Sequence, residues 1–423
     1  MTESAPSIVI IAGEASGDLH GAHLAAEVRR ILPSVRIRGV GSRGMREAGV
    51  ELLYDSSSWG AIGVAEALKH VPGLLLVFYR LMATLKADPP DLAVLIDFGA
   101  FNVRLGRLLH TRGVKVLYYF PPSSWYRGAT YSALRGFVDR VVTPFPWSAE
   151  LLAKHGFQAD FFGHPLLDVA KPSMTRDEFV NRFGFDSSQP IIGLLPGSRT
   201  HEIIHNLPVM LTAAAGMLGS IPDLQFAIPP APSANPFALA DELSRVPWIE
   251  VEAHGTKDEI PSGFGVASPE SLSRQIRALA GSEAPKSPLR IKLLPGMTYD
   301  VLAHSRAAIV CSGTVTVEAM ILGCPMVIMY RGSRIMVAEY KLLGKRIKFI
   351  GMPNIIMDRM ICPEFVANDA TPRRISESAL KLIQDSPERT QVLRDLAEAR
   401  AVLGEPGAVK KTANVVAEML KTS

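Results

Sequence analysis

Short aliphatic and β-branched runs recur along this chain with helix-length segments between them. That alternation restricts the fold to parallel-sheet α/β architectures. In the first half the runs are Ser7–Ala12, Val35–Val40, Leu92–Asp97, Val114–Tyr119, Arg140–Val142 and Ala159–Phe162. A Gly-bearing turn and a helix from about His20 to Leu32 follow the first of them. After the polar, Pro-marked junction Asp186–Pro190 the pattern restarts with Ile191–Leu195, Gln225–Ile228, Ile249–Val251, Ile291–Leu293, Ala307–Val310 and Met326–Met329. Two Rossmann-like halves joined by one linker are the expectation, residues 1–186 and 187–370, with ligands beyond the carboxyl ends of the strands in the cleft between them. The polar, Gly-, Pro- and Ser-rich stretch Ala253–Leu289 reads as an insertion carrying one helix around Ser271–Ala280. From Thr371 to residue 423 the pattern is helical.

Composition narrows the class. With 423 residues, 48% apolar and 20% charged, the chain can bury a sizeable core and is not a disordered one. A net charge of +4 allows anionic substrates or a membrane surface without pointing to nucleic acid. Cys311, Cys324 and Cys362 are too few and scattered for a disulfide framework or a zinc site. Residues 1–6 contain no basic residue and no stretch reaches the ~20 apolar residues of a spanning helix, so a cytoplasmic location is expected.

Several turns at strand ends carry chemistry. After the first strand comes Gly13-Glu14-Ala15-Ser16-Gly17-Asp18, neither a dinucleotide fingerprint nor a P-loop. It is either a ligand loop before a helix N-terminus or a plain turn with Asp18 as helix cap. Asp97 ends a strand, where a carboxylate can act as general base on a sugar hydroxyl, or can cap the helix near Asn102. In the second half, Pro196-Gly197-Ser198-Arg199 can hold a diphosphate through backbone N–H groups and the Arg fork. Ser312-Gly313-Thr314 offers hydroxyls and N–H groups to phosphate, and Glu318 an acceptor for ribose hydroxyls. His164 in Phe162-Gly163-His164-Pro165 touches substrate or is structural. No metal-ligand spacing surrounds any histidine, and no Asp-x-Asp pair or His cluster lies at a mapped strand end, so no metal is expected.

Two surfaces suggest lipid. Leu74, Phe78, Leu81 and Leu85 share one helical face flanked by Lys69, His70, Arg80 and Lys86, which is core packing or a membrane- or acyl-facing helix. Arg331, Arg334, Lys341, Lys345, Arg346 and Lys348 form the densest basic stretch, a solvated face or a site for an anionic headgroup.

Taken in order, Ala12–Ala22 (AGEASGDLHGA), Ile96-Asp97 with Phe101-Asn102, Phe162–Leu166 (FGHPL), Leu194–Glu202 (LLPGSR with Glu202), Ser312–Ala319 (SGTVTVEA), Met352–Asn354 (MPN), Pro363–Phe365 (PEF) and Leu403–Ala408 (LGEPGA) span nearly the whole chain. In this order they resemble the lipid-A-disaccharide synthase family. The resemblance implies a GT-B fold, two Rossmann-like domains facing a cleft, and an inverting, metal-independent transfer from a UDP-diacylglucosamine to a diacylglucosamine 1-phosphate. It implies Asp97 as base and Arg199 as essential for donor handling. Gly13, Glu14, Ser16, Gly17, Asp18, Asn102 and His164 would line the acceptor side. Gly197, Ser198, Arg199, Ser312, Gly313, Thr314, Glu318 and Asn354 would hold UDP. It further implies a peripheral position at the inner membrane face and a homodimer, with the tail from 371 crossing back to the N-terminal domain or exchanged with it. The chain departs from the family's I-D-x-P-D-F-N at Asp97–Asn102 and from its S-P-x-x-W-A-W at Pro121–Arg127. A UDP-sugar 2-epimerase, another UDP-sugar transferase and a non-catalytic nucleotide-sugar or lipid binder are the alternatives.

Overall fold

The computed structural model describes residues 5–57, 59, 64–231, 235–255, 270–280, 285, 287–332 and 348–421, the helix residues 64–72 and 270–271 by backbone alone. The chain divides into two compact units, residues 1–169 with 402–423, and residues 170–401. The division falls upstream of the polar junction at 186–190, because the helix Arg176–Phe183 already packs with the second unit through Phe179, Val180 and Phe183.

In the first unit seven parallel strands run β1 Ser7–Ala12, β2 Arg36–Gly41, β3 Glu51–Asp55, β4 Leu92–Ile96, β5 Lys115–Tyr119, β6 Arg140–Val142 and β7 Ala159–Asp160, in the order β3-β2-β1-β4-β5-β6-β7. Side chains alternate across β1: Ile8 and Ile10 pack on one face with Leu24, Val28 and the C-terminal residues Val415 and Val416, Val9 and Ile11 on the other with Phe78, Leu81 and Leu105. The chain leaves β1 toward β2 and later returns to β4 on the opposite side, so the β1–β4 boundary is the sheet's switch point.

The second unit repeats the plan with β8 Ile191–Leu195, β9 Gln225–Ile228, β10 Ile249–Ala253, β11 Leu289–Leu293, β12 Ala307–Cys311, β13 Met326–Tyr330 and β14 Glu364–Val366, ordered β10-β11-β9-β8-β12-β13-β14 and all parallel. Its switch point lies between β8 and β12. Of the polar stretch 253–289, the helix Glu270–Ala280 is present, while residues 256–269, 281–284 and 286 lie outside the described residues, as do Arg334, Lys341, Lys345 and Arg346 of the basic stretch.

The last helix, Ala408–Lys421, packs on the helix Ala15–Ile31 of the first unit. Its entry is clasped by FGHPL and the residues just after it: His164 N–H donates to the Leu403 carbonyl at 2.8 Å, and Asp168 accepts from Gly407 and Val409 N–H. Gly163 has φ +104°, and a Cβ there would lie 2.3 Å from the Glu405 carbonyl oxygen, so only glycine lets the two segments meet.

Candidate active site

Three strands of the first unit end at one place. Past β4 the backbone turns through Asp97 at φ +44° and Phe98 at φ +49°, two successive non-glycine residues in the left-handed region. Such conformations persist only where surroundings enforce them. Here the Asp97 N–H donates to the Phe120 carbonyl at 3.1 Å, and the Asp97 carbonyl accepts from Tyr118 Oη at 2.8 Å and Asn102 Nδ2 at 3.0 Å. The fully buried Asn102 also donates to the Ile96 carbonyl, so it braces the turn. The β1 loop abuts this turn through Gly13, where a Cβ would lie 2.4 Å from Phe98 Cγ. Asp97 keeps solvent access on one side and is crowded by protein on the other. Crowding, then the charge of Glu14, push its carboxyl up to about 6, against a hydrogen bond from Phe98 N–H that lowers it.

The remaining acceptor-side expectations divide. The helix starts at Ala15 with Glu14 as its cap, five residues earlier than expected. Asp18 is therefore inside the first turn, and its buried carboxylate accepts N–H groups of Ser42, Gly44 and Met45 at 2.6, 2.9 and 3.2 Å. It caps the short helix Arg43–Glu47 rather than its own helix. Gly17 is buried, a Cβ there meeting Ala12 Cβ at 3.2 Å, so its role is close packing of helix on strand. Ser16 is half-buried in the first turn. His164 is interior: Nδ1 accepts from Leu166 N–H, and the ring lies among His20, Phe120 and Phe145. Burial pushes its pKa down to about 3, which keeps it neutral.

In the second unit the turns after β8 and β12 flank the switch point. Gly197, at φ +117°, leaves room for Glu202, whose Oε2 would be 2.5 Å from a Cβ at that position. Glu202 Oε2 accepts the N–H groups of Ser198 at 2.9 Å and Arg199 at 3.2 Å, and Oε1 pairs with Arg199 Nη1 at 3.5 Å. Those two N–H groups of the turn serve Glu202, which also pairs with the Arg199 side chain. Ser312 Oγ donates to the Ile350 carbonyl at 2.7 Å, and Gly313 and Thr314 follow at the start of Val315–Ile321. The buried Glu318 accepts from Tyr299 Oη at 3.3 Å. Burial pushes its carboxyl up to about 7 against that hydrogen bond.

Asn354 makes its hydrogen bonds within the second unit. It is fully buried, Nδ2 donates to the Cys362 carbonyl and to Glu364 Oε2, and Oδ1 accepts Ile361 and Cys362 N–H. Glu364 in turn accepts Ile350 and Gly351 N–H, so MPN and PEF form one structural brace. Two residues escaped the sequence reading. Asn206, fully buried, donates to the Pro196 carbonyl at 3.1 Å and to Cys311 Sγ at 3.2 Å, and accepts Arg331 N–H at 2.8 Å, tying the ends of β8, β12 and β13 together. Its signal was a lone amide in the apolar run Leu207–Leu218 and its approach. His201 lies two residues past Arg199, and burial with the Arg199 charge pushes its pKa down to about 4. Among the described residues no group of three or more His, Cys, Asp or Glu could hold a metal ion.

The family model LpxB, Lipid-A-disaccharide synthetase, matches residues 8–246 and 266–419. A lipid-A-disaccharide synthase of Geobacter sulfurreducens is 34% identical over 422 residues, covering 99% of each chain. Among solved structures, the UDP-GlcNAc 2-epimerase of Neisseria meningitidis bound to UDP-GlcNAc aligns at TM-score 0.57 and 11% identity, over 99% of this chain and all of that one. MurG of Acinetobacter baumannii aligns at TM-score 0.55 and 14% identity, over 98% and 99%. At these identities the two structures speak for the fold.

Proposed function

The chain belongs to the lipid-A-disaccharide synthetase family, and from that premise we propose that it is an inverting glycosyltransferase, moving an acylated glucosamine from a UDP-sugar to a hydroxyl of a lipid-type sugar phosphate. The observation that carries this reading is Asp97, a carboxylate at a strand end beside the switch point of the first sheet, held in a constrained turn with its pKa pushed up to about 6. That value suits a base working near neutrality. Asp97 takes the proton of the attacking hydroxyl, whose oxygen bonds to the anomeric carbon as the bond from that carbon to the diphosphate oxygen breaks. UDP leaves with the electron pair, and attack from the opposite side inverts the centre. Arg199 takes up the charge growing on the diphosphate. Gly197, Ser198, Ser312, Gly313 and Thr314 border the nucleotide, and Glu318 accepts from its ribose. The epimerase reading rests on fold alone, at 11% identity, whereas 34% identity over 99% of the chain lies with disaccharide synthases.

No metal is needed in this scheme, because the Arg199 guanidinium supplies the positive charge. UDP-diacylglucosamine and diacylglucosamine 1-phosphate in excess EDTA should therefore yield UDP and a disaccharide by mass spectrometry. Turnover only after magnesium or manganese is added back would move the leaving-group role to a cation. No turnover in either condition would remove the transferase assignment.

The acyl chains and the membrane fit one surface. On the helix Val64–Ala87, Phe78, Leu81 and Leu85 are core, as one reading of the sequence had it, but Leu75, Leu76 and Tyr79 are 40%, 51% and 60% exposed. Rings continue inward from Tyr79 through Phe78 and Phe101 to Phe98 beside Asp97, with centroid spacings of 5.9, 5.3 and 5.1 Å. Among the described residues no helix is long and apolar enough to cross a membrane. The protein should float with phosphatidylethanolamine–phosphatidylglycerol vesicles, and Leu75→Glu with Leu76→Glu should leave it in the soluble fraction. Equal flotation of both proteins would move the membrane contact elsewhere.

A further inference from the structure

We propose that Tyr299 is the positioning residue of the ribose site: its hydroxyl holds one oxygen of the Glu318 carboxylate, and the other oxygen is left to accept from the sugar. The inference rests on the reading that Glu318 meets the ribose of a UDP-sugar, and it adds a second residue to that contact. It starts from an anomaly. Other buried carboxylates of this chain collect several donors. Asp18 accepts three backbone N–H groups, and Asp300 accepts the N–H and Oγ of Ser173 and the N–H of Met174. Glu202 accepts two N–H groups and pairs with Arg199 Nη1. Glu318 is only 9% exposed, yet among the described residues its one hydrogen bond comes from Tyr299 Oη, at 3.3 Å to Oε1. A hydroxyl bound to a carboxylate ordinarily lies at about 2.5–2.7 Å, so this bond compensates little. An acid buried at such cost marks a site that a ligand completes.

The two side chains meet because their helices are fixed separately. Tyr299 lies on the helix Thr298–His304, whose seven residues are too few to hold a helix unaided. Its anchors lie outside it. Asp300 takes the donors of Ser173 and Met174, His304 Nε2 lies 2.9 Å from the Met174 carbonyl, and Arg176 Nη1 donates to the His304 carbonyl at 2.6 Å. Val301 packs with Phe179, Val180 and Ile191. Glu318 lies on Val315–Ile321, where Thr316 Oγ1 donates to the Gly313 carbonyl at 2.8 Å and accepts Met352 N–H at 3.2 Å. The framework therefore sets the Tyr299–Glu318 distance, and the carboxylate is oriented before a sugar arrives. Burial, then the Glu318 charge, push the Tyr299 phenol up, so it stays a donor. Its hydrogen bond opposes the burial that raises the Glu318 carboxyl to about 7, and so favours the ionised form, the better acceptor. On Thr298–His304, Met352–Met357 and β12, which pack against the Glu318 helix, the other titratable groups are Asp300, His304 and Cys311. Asp300 and His304 are engaged with Ser173 and Met174, and Cys311 with Asn206.

The test compares UDP with 2′-deoxy-UDP and 3′-deoxy-UDP by calorimetric titration from pH 6 to 9. The ratio of affinities cancels the ionisation of the diphosphate and its surroundings, which the three nucleotides share. Wild type should prefer UDP over at least one deoxy form by roughly tenfold at pH 8. The preference should fade as pH falls through about 7. In Tyr299→Phe the midpoint of that fading should move up by roughly half a unit to one unit. Adding Tyr299→Phe to Glu318→Gln should introduce no dependence on pH. An unmoved midpoint in Tyr299→Phe would overturn the inference. So would an equal loss for all three nucleotides together with a lowered melting temperature, the mark of a merely structural tyrosine. Wild type that binds UDP without preferring it to either deoxy form would remove Glu318 from the ribose, and this inference with it. Wild type that binds none of the three would overturn the transferase reading as well.

Discussion

Asp97→Asn should abolish nearly all turnover while leaving a protein that melts no lower than wild type. Asn is almost isosteric and tolerates the left-handed conformation that Asp97 adopts. The hydrogen bonds that shape the turn are made by its backbone N–H and carbonyl, so they survive the exchange. What disappears is the proton acceptor, and loss of a general base typically costs roughly 10²–10⁴ in rate. The stability sign follows from the raised pKa. A carboxyl whose pKa rises from the unfolded value near 3.8 to about 6 on folding contributes stability below pH 3.8, and that contribution is lost as pH climbs through 6. At pH 7 to 8 the ionised group works against the fold, and neutral Asn removes that opposition, so the melting temperature should hold or rise. Wild-type kcat/KM should fall on the acid side of about pH 6, where the base is protonated. Thermal melting and single-turnover kinetics on one preparation decide the matter. Near wild-type chemistry would transfer the base to another group, Glu14 first, and a collapsed melting temperature would make Asp97 structural.

The strands were legible because burial on both faces demands continuous aliphatic runs, and β1, β6, β8 and β9 fall on the residues their runs mark. The edge strands β3 and β14 were not. Glu51–Asp55 and Glu364–Val366 are only partly buried and begin or end on acids, so no apolar run announces them. The switch-point turns were legible as turns, but what each polar group does there was not. Asp18, Asn102, Asn354 and Glu202 lie in or beside motifs of a ligand-binding kind, yet each makes hydrogen bonds with backbone groups of the turns, and Asn354 and Glu202 also meet the side chains of Glu364 and Arg199. A motif records that a geometry is required; the same letters serve whether a side chain meets the ligand or holds the loop that does. FGHPL and LGEPGA show the limit from the other side. They are some 240 residues apart, and nothing local in either tells that Asp168 receives the N–H groups of Gly407 and Val409. Asn206 was the costliest omission, because a single amide inside an apolar helix carries no pattern.

Asn206→Ala should accordingly hurt the second unit more than any change at a surface residue of its strand ends. The amide is fully buried and meets three strand ends at once, through the Pro196 carbonyl, Cys311 Sγ and the Arg331 N–H. Alanine leaves the buried Pro196 carbonyl and the part-buried Arg331 N–H without partners, each worth about 1–3 kcal/mol at most, and opens a small void beside them. A loss on the order of 3–5 kcal/mol follows, hence a fall in melting temperature of roughly 10 °C for a unit of this size. UDP affinity should fall with it, because the turns bearing Arg199 and Ser312 lose their common tie. Glu318→Gln supplies the contrast. Its carboxyl is pushed up to about 7 by burial, so ionisation above that pH opposes the fold, and neutral Gln should melt at or above wild type at pH 8. UDP affinity should nonetheless drop by about tenfold or more, the ordinary worth of a hydrogen bond to a charged group. Melting and UDP titration on both variants separate the two roles. Wild-type melting and affinity in Asn206→Ala would dissolve the tie, and wild-type affinity in Glu318→Gln would take the ribose contact away from Glu318. A drop in affinity that tracks stability in one variant and is independent of it in the other identifies Asn206 as what holds the nucleotide turns and Glu318 as what meets the nucleotide.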